Sequence, residues 1–203
     1  MGLFSIFKKK ENDNNKKDIF SIPYDYTGYD IRFEEGYTDV NLYKKINDIV
    51  TLGKVDIEKI EGFSKLNKNS SEDDFDEFYD KWIDKLQENG YVIHQDSSLD
   101  IRDFALKVNK ALSNLGATYQ IDVEKIAELY NETLNEYTLG GKPVPEGFNY
   151  DILENNLVAG KVRGAGYELI NFFNGFDNYD VLIIKADEVG NIKAIEEKLN
   201  HYN

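Results

Sequence analysis

The chain contains no cysteine, and that single absence removes disulfide staples, thiolate nucleophiles and cysteine-based zinc sites together. It also has only two histidines, three prolines, one methionine and one tryptophan. The 24 basic residues include just three arginines, Arg32, Arg102 and Arg163. With the frequent asparagines, this scarcity points to A- and T-rich codons and a low-GC bacterial genome. No apolar run approaches the roughly eighteen residues needed to span a bilayer. The start, MGLFSIFKKK, places its basic residues after the apolar ones, the reverse of a secretory signal, and Ile6 stands where a myristoylation pattern requires Ser or Thr. The expected location is therefore the cytoplasm. Nothing in the sequence calls for a metal or a cofactor.

What is present is negative charge. The net charge is −14 over 203 residues, and residues 1–17, with five lysines against Glu11 and Asp13, contribute +3 of it. The remainder repels nucleic-acid phosphate, which excludes direct nucleic-acid binding, and attracts basic proteins. Two segments concentrate the charge at helical spacing: Asp73, Glu77, Asp80, Asp84 and Glu88, then Glu124, Glu128, Glu132 and Glu136. Neighbours three or four apart on a helix stand on one ridge and repel by about 0.2–0.5 kcal/mol per pair, so each ridge costs stability. The bland alternative is a solvated face, partly offset by Lys81 and Lys85 on the first ridge and Lys125 on the second. Tyr24, Tyr26 and Tyr29, interleaved with Asp25 and Asp30, have the composition of a grip on cationic side chains. Such tyrosines also serve as core with a polar tip.

Residues 1–17 read as a disordered basic leader, because the polar tract Glu11–Lys17 has nothing to bury. The alternative is weak membrane-surface contact by residues 1–10 through Leu3, Phe4, Ile6, Phe7 and the following lysines. Residues 18–203 read as a single α+β domain: several amphipathic helices packed on a small, mostly antiparallel sheet. An irregular strand pair is expected over Asp18–Asp39. A helix carries Leu42, Tyr43, Ile46, Ile49 and Val50, and a second, shorter one spans Val55–Leu66. The clearest helix runs from Ser71 to Asn89, with Ser71 as N-cap, Gly90 as stop and the stripe Phe75, Phe78, Tyr79, Trp82, Ile83, Leu86. Tyr91–Gln95 reads as a strand and Ser98–Leu115 as a helix ended by Gly116. Asp122 caps a helix to about Tyr137, buried along Val123, Ile126, Ala127, Tyr130 and Leu134. Leu139–Phe148 is a loop and Tyr150–Ala159 a short helix. Tyr167–Phe173 and Tyr179–Lys185 form a hairpin whose run Val181–Ile184 marks a strand buried on both faces, and a last helix covers Asp187–Leu199.

Candidate chemistry is sparse. His94, beside Asp96 in YVIHQD, has the makings of a general base oriented by a carboxylate, although a lone strand histidine is usually a half-buried side chain. His201 stands near the terminus and offers less. Asp96, Ser98 and Asp100 match the first ligands of a calcium loop, but Ile101 replaces its glycine and Lys107 its glutamate. Gly160, Gly164 and Gly166, with Lys161 and Arg163, share only the composition of a phosphate cradle and read as a mobile connection before the hairpin. No specific carboxylate pair stands out among 38 acids, so no catalytic residue is nominated.

The stretch YELINFFNGFDNYDVLIIKADEVGNIKAIEEKLN, together with GYVIHQDSSLDIRDFALKVNKALSNLG, resembles an uncharacterised bacterial domain family over roughly residues 90–203. That resemblance implies no established activity. Small acidic chains of this kind also resemble, in style, immunity proteins that neutralise toxins. Three function classes follow: an acidic non-catalytic binding module of immunity or antitoxin type with a basic protein partner such as a toxin, a membrane-surface-attached cytosolic adaptor, and a hydrolase.

Overall fold

The computed structural model describes residues 30–32, 40–67, 69–95, 100–140, 150–173 and 179–200. Its elements run β1 (Asp30–Arg32), α1 (Val40–Thr51), α2 (Glu72–Glu88), β2 (Val92–Gln95), α3 (Ile101–Asn114), α4 (Val123–Thr138), α5 (Tyr150–Gly164), β3 (Tyr167–Phe173), β4 (Tyr179–Lys185) and α6 (Val189–Asn200). The leader at 1–17, Tyr24, Tyr26 and Tyr29, most of the expected strand pair before Asp39, and the loop at 141–149 lie outside the described residues. Of that strand pair, the short β1 is described.

Local chemistry sets the helix boundaries. Ser71 Oγ accepts from the Asp74 backbone N–H at 3.3 Å while Asp74 Oδ2 accepts from the Ser71 N–H at 2.9 Å, a reciprocal capping box that opens α2. Gly90 closes it with φ of 73°, a conformation a side chain resists. Asp100 and Asp122 cap α3 and α4 by accepting from Arg102 and Lys125 backbone amides. The expected helix at Val55–Leu66 is instead two 3-10 turns, Ile57–Lys59 and Phe63–Lys65. The chain turns extended at Ile60 (ψ 134°) and left-handed at Gly62 (φ 96°), so no continuous helix can cross that point. Ser98–Leu115 likewise contracts to α3, because its cap is Asp100.

Sheet order is β1-β3-β4-β2, with β3 and β2 antiparallel to β4 and β1 parallel to β3. Because strand side chains alternate, each face receives every second residue. Val92, Ile170, Leu182 and Ile184 point into one core, where α1, α2 and α6 contribute Ile46, Trp82, Leu86, Ile192 and Ile195. Ile93, Leu169, Val181 and Ile183 point into the other, with Phe104, Val108, Ile126, Val158 and Val162 from α3, α4 and α5. The protein is an α+β fold in which β4 is buried on both faces, as its unbroken apolar run predicts.

Trp82 is fully buried, edge-on to Tyr43 at 5.3 Å, and its Nε1 donates to Asn47 Oδ1 at 3.2 Å. On α4 the buried set is narrower than expected. Ile126 and Ala127 are core, Val123, Tyr130 and Leu134 are half-buried, and Thr133 is buried with its hydroxyl donating to the Leu129 carbonyl.

Candidate functional site

The first acidic ridge stands along α2 with Asp73, Glu77, Asp80, Asp84 and Glu88 all exposed. Part of its charge is answered from the same side, while Asp73, Asp80 and Asp84 have no ion-pair partner among the described residues. Lys81 Nζ reaches Glu77 at 2.6 Å and Glu61 at 3.6 Å, and Lys85 reaches Glu88 at 2.8 Å. The Lys81 bond holds the Glu77 carboxyl below the usual glutamate range. A groove of about 580 Å³ runs beside it, between the 3-10 turns and α2, floored by Val55 and Ile60. Four lysines and four acids share its lining. Each lysine there is engaged, Lys59 with Asp56 at 3.1 Å and Lys54 with the Asn114 carbonyl at 2.5 Å. The groove therefore offers a balanced lining rather than a field of one sign.

The second ridge differs. Glu124 is matched by Arg102, whose Nη2 lies 3.2 Å from Oε2, and Glu136 is half-buried. Between them Glu128 and Glu132 are exposed and have no ion-pair partner among the described residues. α2 packs in one core and α4 in the other, so the two ridges stand on opposite sides of the sheet and cannot form one continuous surface. Sequence spacing finds each ridge; it has no access to their separation.

His94 finds a carboxylate in Asp180; Asp96, the neighbour expected from the sequence, lies outside the described residues. His94 and Asp180 are register partners on β2 and β4, with His94 Nδ1 3.0 Å from Asp180 Oδ1. Asp180 is 2% exposed while the His94 side chain is 35% exposed, so a buried carboxylate anchors a half-open imidazole. Burial pushes the Asp180 carboxyl above the usual range, the bond from His94 pulls it back, and Asp84 and Asp80 on α2 push it up again. Burial likewise raises the Tyr79 phenol, with Asp180 adding to the effect. Pairing Nδ1 with a carboxylate fixes the ring orientation and the tautomer that carries the proton there.

The remaining sequence candidates take structural roles. Asp100 spends its side chain on the α3 cap, and Asp96 and Ser98 lie outside the described residues. Gly160, Lys161, Arg163 and Gly164 belong to α5, not to a mobile connection, because Val158, Ala159 and Val162 bury beside them. Arg163 is held by Glu168 through Nε at 2.7 Å and Nη2 at 2.9 Å, which leaves it committed to β3 rather than to a phosphate. Among the described residues no group of three or more His, Asp or Glu is placed to hold a metal, and no helix is long and apolar enough to cross a membrane. No family model, no curated protein and no solved structure matches this chain.

Proposed function

We infer that this chain is a non-catalytic binding module of the immunity or antitoxin kind, working in the cytoplasm, and that it neutralises or regulates a basic protein by covering it with α4. The observation that carries this reading is the pair Glu128 and Glu132, exposed one turn apart and unanswered by any cation among the described residues. Their repulsion costs the helix stability, and an outer face that served only solubility gains nothing from it. The net charge of −14 supplies a long-range field that draws a basic partner in before contact. The α2 ridge contributes less where Lys81 and Lys85 hold Glu77 and Glu88, and its unpaired Asp80 and Asp84 add to the same field.

Electrostatic attraction of this type acts mainly on the association rate and is screened beyond a Debye length of about 8 Å at physiological salt. With the basic partner isolated from the native host, association should slow as salt rises. Reversing Glu128 and Glu132 to Lys should slow it severalfold at low salt while leaving the melting temperature within a few degrees of the parent. Reversing Glu77 and Asp80 together should have the smaller effect. An association rate and salt dependence left unchanged by the α4 reversal would defeat the proposal.

A further inference from the structure

We draw no further inference here: the strongest candidate, the groove of about 580 Å³ between the 3-10 turns and α2, carries none because each of its lysines is held by a carboxylate or a carbonyl within the fold and nothing in the structure shows what covers its floor of Val55 and Ile60.

Discussion

Asn47 is fully buried on α1 and uses both ends of its amide: Oδ1 accepts from Trp82 Nε1 at 3.2 Å, and Nδ2 donates to the Val55 carbonyl at 2.7 Å. Thr51, also buried, donates to the Asn47 carbonyl at 2.8 Å. One side chain thus joins α1, α2 and the turn that leaves α1 through Leu52 and Gly53, both at positive φ. Replacing Asn47 with Ala strands a buried indole N–H and a backbone carbonyl in a site with little access for water. The expected cost is about 2–4 kcal/mol, read as a lower denaturant midpoint with the two-state slope retained. Asn47 was within reach of sequence reading, since it falls on the same helical stripe as Tyr43, Ile46 and Val50. An amide amid that stripe signals a buried hydrogen-bonding job, yet its partner is 35 residues away and no spacing rule connects them. The same limit applies to His94, whose oddity as a strand histidine is visible while its partner Asp180, 86 residues downstream, is not.

Among the elements, α2 and β4 are legible because several local signals agree. In α2 the cap at Ser71, the stop at Gly90 and an unbroken stripe point to the same boundaries; in β4 four consecutive aliphatic residues leave no exposed face. α5 reads short because Gly160 and Gly164 look like breakers, and a glycine inside a helix costs about 1 kcal/mol relative to alanine. Burial of Leu157, Val158, Ala159 and Val162 outweighs that cost, and it becomes visible only once the second core is assembled. Gly160 is exposed, inside the helix, and a methyl group added there meets no atom within 4 Å. Gly160→Ala should therefore stabilise the protein by about 0.5–1 kcal/mol, seen as a higher melting temperature. A neutral or negative result would mean that α5 needs its flexibility at that turn. The misreading at Val55–Leu66 has the opposite origin. Apolar spacing there suits a helix, but a left-handed Gly62 divides the segment so that Ile57, Ile60 and Phe63 bury from separate turns.

For the whole molecule, a net charge of −14, with acidic ridges on two opposed helical faces, makes the folded state repel itself. Raising sodium chloride from about 20 to 200 mM should screen that repulsion and lift the melting temperature by a few degrees, roughly 1 kcal/mol for a chain of this size. A fall instead would show that surface pairs such as Lys81–Glu77 outweigh the repulsion. The α+β class and the double burial of β4 are readable from the sequence, but which helix covers which face follows from the order of strands and is not. That order has a consequence for the protein's birth. Residues 40–92 supply α1, α2 and the first half of one core, but Ile170, Leu182, Ile184, Ile192 and Ile195, which complete it, lie far downstream. On the ribosome α1 can cover part of the apolar face around Trp82, but that core stays open on its sheet side while about a hundred further residues emerge, whereas the core containing Phe104 closes soon after Ile183 is made. The core begun first is thus the core that finishes last, and a stall before β4 leaves α1 and α2 without the strands that close it.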